Sequence, residues 1–317
     1  MLVPRSSEPK LSGVRRSVKR TLYSVGYYHR RMLQLDFPGV AVLCYHGIRA
    51  AGEETPFRDL HVTQKTFESH CRLLADTCNP ISLEDFRAAR SGQRPLPVRP
   101  VIVTFDDGYR GVLDRALPVL ERYRVPATLF ACSDPLLKSR HFWFDVLCRR
   151  EGEAAVMRAR SLAYGDWRAL ADSIETAAHE FETHRPLTRG ELQRLAESPL
   201  IEIGGHTMSH PTLALASVSE QRHEIAGSRD ALSEVVNRPI HAFAYPYGGL
   251  FHDFLPEAAD VVRDAGFSLA FTTREAFATL DGDPFQMPRF MMLESISDVE
   301  LAHRLVHSWH ASGVAAV

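Results

Sequence analysis

The chain has 317 residues, 45% of them hydrophobic and 24% charged, with a formal net charge of −2. That length allows one large α/β domain or two smaller ones, and so even a charge balance gives no electrostatic footprint for nucleic acid. No apolar run approaches the roughly 20 residues of a membrane span, and no apolar core follows the basic N-terminus to make a secretory signal, so a cytoplasmic location is the expectation.

Residues 1–37 read as a basic N-terminal extension outside the compact domain. It carries Arg5, Lys10, Arg15, Arg16, Lys19 and Arg20, interleaved with Leu22, Tyr23, Tyr27 and Tyr28. Two readings stand: a solvated helix or tail, or a segment lying peripherally on the anionic inner face of a membrane. From residue 38 onward strands and helices alternate, the βαβ signature of a parallel sheet. A near-continuous apolar run over 39–45 reads as a buried strand and ends in His46. A helix is expected over 63–75, with Phe67, Leu73 and Leu74 on one face, and a second begins near residue 81 with Ser82 as its N-cap. The apolar strand over 101–105 then runs straight into Asp106-Asp107-Gly108-Tyr109. A helix to about residue 123 and a strand over 125–132 follow.

Residues 138–198 break that rhythm. They are polar and helix-rich, open on Phe142-Trp143-Phe144, and look too poor in apolar side chains for a core of their own, so they read as an insertion over one face of the domain. A short strand over 200–203 leads into Gly204-Gly205-His206-Thr207-Met208-Ser209-His210. A helix over 218–236 follows, with Ser219 as cap, then a strand over 241–245 ending in Pro246-Tyr247-Gly248-Gly249. A helix over 257–264, strands over 268–272 and 288–292, and an amphipathic helix over 297–309 complete the chain. The five cysteines show no Cys-x-x-Cys spacing and read as reduced thiols. Cys44 and Cys132 fall in apolar runs and read as core, with no part in chemistry.

Two carboxylates at the end of a buried strand repel each other and lose solvation. Either Asp106-Asp107-Gly108 is a solvated turn, or a bound cation compensates the pair. His206-x-x-x-His210 favours the cation, because two histidines four apart can face one way on a helical turn. Both motifs directly follow apolar strands and sit beside glycines. One carboxylate with two imidazoles leaves room for a water and suits Zn²⁺, while Co²⁺, Ni²⁺ or Fe²⁺ fit the same ligand types. If Asp107 binds the ion, Asp106 remains beside it as a general base.

With these residues in hand, the chain resembles the polysaccharide deacetylases of the NodB-homology type, carbohydrate esterase family 4. Thr104-Phe105-Asp106-Asp107-Gly108-Tyr109 matches the first motif of that family and His206-Thr207-Met208-Ser209-His210 the second. Phe243-Ala244-Tyr245-Pro246-Tyr247-Gly248 resembles the third. The resemblance covers roughly residues 39–290, excluding much of the insertion. It implies an α/β fold, a distorted (β/α)7 barrel over 38–317 with a helical insertion at about 138–198, which removes N-acetyl, sometimes O-acetyl, groups from sugars with a divalent metal. It also implies Asp106 as base, Asp107, His206 and His210 as metal ligands, and Pro246 and Tyr247 at the substrate, with the Tyr247 N–H as oxyanion donor. The third motif is closest in form to the subgroup acting on poly-β-1,6-N-acetylglucosamine and related exopolysaccharides.

Two departures matter. The family's third motif often carries an arginine that braces the base, where this chain has Ala244. Arg289 either reaches the site from another strand or is a surface arginine at a strand start. The late Leu-x-His motif that supplies a general acid is also missing, since Leu301-Ala302-His303 sits in a helical pattern with His307 on the same face. The exopolysaccharide subgroup resembles a circular permutation in which the first strand replaces the last, and this implies His46 as the acid; the other reading is a histidine satisfied in a turn. Trp143 and Asp145, with Phe144, are candidates to stack on and hydrogen-bond a sugar, or simply to pack. His61, His70, His141 and His223 read as structural or surface. The expected function is N-deacetylation of an amino-sugar glycan, against an O-acetyl esterase or a non-catalytic glycan-binding or assembly protein.

Overall fold

Seven parallel strands organise the chain: β1 (Ala41–Tyr45), β2 (Pro100–Phe105), β3 (Ala127–Ala131), β4 (Ile201–Gly205), β5 (Ala242–Ala244), β6 (Leu269–Phe271) and β7 (Phe290–Met291). They lie in the order β7-β1-β2-β3-β4-β5-β6, and the two-residue strand Asn79–Pro80 pairs with the start of β2. A further parallel bridge joins Phe271 of β6 to Met287, just ahead of β7, and curls the sheet into the expected distorted (β/α)7 barrel. The computed structural model describes residues 13–174 and 184–307.

The strands form where apolar, largely β-branched or aromatic residues can be covered on both faces. β1, β2 and β3 are buried along their whole length. Alternation then divides their side chains. Leu43, Val103, Leu129 and Phe243 join the core beneath the outer helices. Val42, Ile102, Phe130, Ala244 and Phe271 form a separate cluster on the opposite, inner face. Cys44, Thr104 and Asp106 share the parity of Val42 and Ile102, so β1 and β2 present them to the inner face at their C-terminal ends. That end is where barrels of this kind place chemistry.

Ser82 is the expected N-cap, whereas Thr63, expected as the first residue of its helix, is instead the cap of that helix. Thr63 accepts from the Thr66 amide at the start of Gln64–Thr77, and Ser82 forms a capping box with Asp85 ahead of Leu83–Arg90. Helix Val218–Val236 is capped by Ser217, not Ser219. Ser217 sits three residues ahead of Glu220, whose carboxylate returns to the Ser217 amide at 2.6 Å.

The N-terminal segment differs from expectation. Helices Gly13–Ser24 and Tyr27–Leu33 precede the barrel, and Tyr28 and Met32, four apart on one helical face, are 1% and 0% exposed within the main core. Burying both apolar surfaces outweighs solvating the basic residues that flank them. The Tyr28 hydroxyl meets Nδ1 of His303 at 2.9 Å, and Lys19 pairs with Glu300 at 2.7 Å, both on helix Asp298–His307. His303 therefore belongs to this packing, as its helical spacing with His307 implies. Arg5, Lys10 and the end of the closing helix lie outside the described residues. Among the described residues no helix is long and apolar enough to cross a membrane.

The insertion contributes helices Trp143–Glu151, Glu153–Arg160, Tyr164–Ser173 and Arg189–Glu197. It is less poor in apolar packing than its composition suggests. Phe142, Trp143, Phe144, Val156 and Trp167 form a cluster completed by Phe57, Tyr109 and Cys132 of the barrel. The insertion is thus fastened over the strand ends by a shared core.

Candidate active site

Asp106 leaves β2 with its amide donating to the Tyr45 carbonyl at 2.9 Å, which ties the carboxylate to the end of β1. Arg289 meets it with a two-pronged contact: Nη1 to Oδ1 and Nη2 to Oδ2, each at 2.7 Å. The third guanidinium nitrogen, Nε, donates to the Thr272 carbonyl at 3.0 Å, and Nη1 also reaches Thr104 Oγ1 at 3.3 Å. Arg289 is fully buried, so it is not a surface arginine; it stands where Ala244 supplies nothing. Burial alone would raise the Asp106 carboxyl, but Arg289 outweighs it and holds the group well below the ordinary carboxylate range. Cys44 adds a contact that its sequence context did not reveal. Its thiol, kept protonated by burial, donates to Asp106 Oδ2 at 3.4 Å.

Asp107 turns the other way. It takes a left-handed backbone conformation, φ 73°, followed by Gly108 at φ 105°. That conformation is costly for a non-glycine residue, and here it swings the second carboxylate toward the loop after β4. His206 enters that loop with its amide on the Ala131 carbonyl at 3.1 Å, and His210 closes it. The loop is not a helical turn, contrary to expectation. Thr207 and His210 both have positive φ, 64° and 65°, and Thr207 Oγ1 accepts from the His210 amide at 3.0 Å.

The result is a cluster of Asp107, His206 and His210 whose potential ligand atoms lie within 4.8 Å of one another, all three residues buried. His206 Nδ1 lies 2.7 Å from the Ala244 carbonyl. A carbonyl only accepts, so Nδ1 carries the proton and Nε2 presents a lone pair. That lone pair faces Asp107 Oδ1 at 3.5 Å, and His210 Nε2 faces the same oxygen at 3.4 Å. Among the described residues Asp107 Oδ1 has no hydrogen-bond partner. An acceptor set against an acceptor in a buried place is what a cation between them would satisfy, so these three residues fit a divalent metal. Burial pushes the His210 imidazole down to about 3 despite the pull of Asp107, which keeps it neutral and able to ligate.

A cleft opens over the cluster, lined among others by His46, Asp106, Asp107, His206, His210 and Tyr247. His46 contributes a buried Nδ1 that has no partner among the described residues, so its turn does not satisfy it. Tyr247 sits in a left-handed turn, φ 62°, with its ring against His210 at 4.5 Å between centroids. Its carbonyl accepts from Thr273 Oγ1 at 3.0 Å, while among the described residues its amide N–H has no acceptor. Gly248 allows the close approach behind it, since a Cβ there would lie 2.7 Å from the Thr273 nitrogen. Pro246 is buried behind Tyr247 and does not line the cleft.

Trp143 and Asp145 do not meet the expectation of sugar contacts. Trp143 packs edge-on against Trp167 in the shared core, and Asp145 accepts from the Tyr109 hydroxyl at 2.9 Å; neither lines the cleft. Phe144 does line it, 4.9 Å from the His210 ring. Arg160, from the insertion, covers the Tyr247 ring at 3.5 Å and pairs with Asp253 at 2.6 Å. No local signal in the sequence distinguishes it from other arginines. His70 is structural, as read, spanning the Tyr45 hydroxyl and the Ile296 carbonyl.

His61, expected to be structural or surface, lines the cleft with both ring nitrogens buried and, among the described residues, unpartnered. Its ring stands edge-on to Tyr109 and His184, and Gly47 makes room for it, because a Cβ there would come within 2.5 Å of His61 Nδ1. Each unsatisfied buried polar group costs about 1–3 kcal/mol. His61→Leu is therefore expected to leave the melting temperature of the free protein unchanged or raise it, as measured by thermal denaturation.

Comparison with known proteins agrees with this geometry. A family model described as polysaccharide deacetylase matches residues 93–270, more than half of the chain. The poly-beta-1,6-N-acetyl-D-glucosamine N-deacetylase of Escherichia coli (strain K12) is 22% identical over 280 residues, covering 84% of this chain and 38% of that protein. The protein of the same name from Staphylococcus aureus (strain MSSA476) is 24% identical over 278 residues, covering 84% of this chain and 81% of its own length. The chain thus spans less than two fifths of the first relative and most of the second. In three dimensions it resembles IcaB from Ammonifex degensii, with a TM-score of 0.61 at 20% identity over 86% of this chain and 98% of that one; this likeness is one of fold.

Proposed function

The chain belongs to the polysaccharide deacetylase family, and we propose that it hydrolyses the acetamide of an N-acetylated amino-sugar glycan of the poly-β-1,6-N-acetylglucosamine class, releasing acetate. One observation carries the reading: a braced, ionised carboxylate and a buried Asp-His-His set open side by side into one cleft. The names of the E. coli and S. aureus relatives supply the substrate class.

Asp107, His206 and His210 would hold a divalent ion, Zn²⁺ being the simplest choice for one carboxylate and two imidazoles. Such an ion supplies a Lewis acid that polarises the acetamide carbonyl and acidifies water. Asp106 takes the proton from the attacking water. A carboxylate offers about four lone-pair sites. Oδ2 already accepts from Arg289 and Cys44, whereas Oδ1 accepts only from the Arg289 side, so Oδ1 is the oxygen left to receive the proton. The unpartnered Tyr247 N–H donates to the oxyanion as the carbonyl carbon becomes tetrahedral. His46 then delivers a proton to the nitrogen as the C–N bond breaks and the free amine and acetate separate. Burial holds the His46 imidazole below its ordinary pKa against the pull of Asp107 and Asp106, which makes its protonated form the stronger donor.

Removing the metal tests this reading. Treatment with a chelator is expected to abolish acetate release and to lower the melting temperature, and added Zn²⁺ is expected to restore both. At free metal a hundredfold above Kd the stabilisation amounts to about 2.7 kcal/mol. Full activity in protein that elemental analysis finds free of metal would refute the assignment.

A further inference from the structure

We propose that Glu224 is a positioning residue for the metal loop, and that through it the helical insertion forms part of the metal site. The inference rests on the metal reading above. Glu224 lies on helix Val218–Val236, fully buried, and its carboxylate is completely engaged. Oε2 accepts from the amides of Met208 and Ser209, each at 2.9 Å. Oε1 accepts from the Ser209 hydroxyl at 2.5 Å and from the Tyr164 hydroxyl at 2.9 Å. Arg168 approaches the same oxygen at 4.0 Å.

Met208 and Ser209 are two of the three residues between His206 and His210. The loop reaches its shape through left-handed conformations at Thr207 and His210, each of which costs free energy for a non-glycine residue. Glu224 holds the segment between them from below. Gly227, one turn further along the same helix, lets the loop sit close, since a Cβ there would lie 2.5 Å from Met208 Sδ. Tyr164 and Arg168 belong to the insertion helix Tyr164–Ser173. The Glu224 carboxylate is therefore the shared acceptor at which the barrel helix, the ligand loop and the insertion meet.

All four lone-pair sites of Glu224 are used by donors. A glutamine cannot replace it, because either orientation of the amide turns an NH₂ group toward two donors. The ligand loop should then lose its set, and the two imidazoles their common aim at Asp107. Loss of a group that orients metal ligands typically weakens metal binding about 10–100-fold.

The test is the Zn²⁺ binding isotherm of the full chain, read beside the melting temperature of the metal-free protein. Glu224→Gln is expected to raise the Zn²⁺ Kd about 10–100-fold, and Tyr164→Phe, which removes only the insertion's bond, to raise it less but measurably. Glu224→Asp is expected to recover part of the loss. If both variants lower the metal-free melting temperature but bind Zn²⁺ like the parent, Glu224 is merely structural and the proposal fails. Should Glu224→Gln not fold, an unchanged Kd in Tyr164→Phe overturns the insertion's part. A parent protein that binds no Zn²⁺ would sink the metal reading and this inference with it, whereas a parent that binds while the variants match it sinks this inference alone.

Discussion

Replacing Asp106 by Asn is expected to lower kcat for acetate release by roughly 10²–10⁴-fold, the range that a positioned general base contributes. An amide at this position has no lone pair basic enough to take the proton from water. The Arg289 fork would then turn on a neutral group, and one of its two N–H contacts would meet an NH₂. The variant should therefore also melt at a lower temperature than the parent. Zn²⁺ binding is expected to persist, because the proposed ligands are Asp107, His206 and His210. Undiminished turnover in the folded, metal-loaded variant would remove Asp106 from the mechanism.

Arg289→Leu carries the largest expected effect on stability. Removing one member of a buried ion pair strands the other charge and typically costs about 3–5 kcal/mol. Here the stranded group is Asp106, whose other donors are its weak thiol neighbour Cys44 and little else in the described residues. In the parent, the folded-state pKa of Asp106 lies below its unfolded value. The pair's contribution is therefore complete above the ordinary carboxylate range and is lost as pH falls through that range toward the depressed value. Without Arg289, the chief counterweight to burial is gone and the carboxyl rises. The acid limb of the pH–rate profile is thus expected to move to higher pH, together with a lower urea midpoint. Replacing both residues by Leu should restore part of the stability, because no lone charge then remains. A single Arg289→Leu variant with the parent's midpoint and acid limb would contradict the brace.

The residues of the candidate site were largely legible in the sequence, because the strand-end acids and the His-x-x-x-His pair both directly follow apolar runs and sit beside glycines. Their support was not. Arg289 pairs with Asp106 across 183 positions of chain, and only the curl of the sheet that brings β7 beside β1 makes them neighbours. The helical geometry expected for His206 and His210 was wrong because Thr207 and His210 adopt left-handed conformations, which the side chains do not advertise; Glu224, on the α-helix that follows, accepts from the amides between them. The N-terminal helices show a signal that was present and passed over: Tyr28 and Met32 are spaced four apart, enough to stripe a helix, but the surrounding basic residues suggested a solvated tail. Trp143 and Asp145 show the converse. Aromatic and acidic residues beside an insertion suggest a sugar platform, yet Trp167 and Tyr109 bury them first. His61 and Arg160 reach the cleft only because separate loops and helices converge there.

The reaction proposed for this cleft is cleavage of the acetamide bond of an amino sugar. Its most direct test is acetate release by the zinc-loaded full chain from β-1,6-linked N-acetylglucosamine oligosaccharides, compared with O-acetylated sugars of similar length. Acetate and free amine are expected in equal amounts from the N-acetylated substrate, at a higher kcat/KM than from any O-acetylated one. No acetate from the N-acetylated oligosaccharide, by protein that binds zinc and is folded, would contradict it.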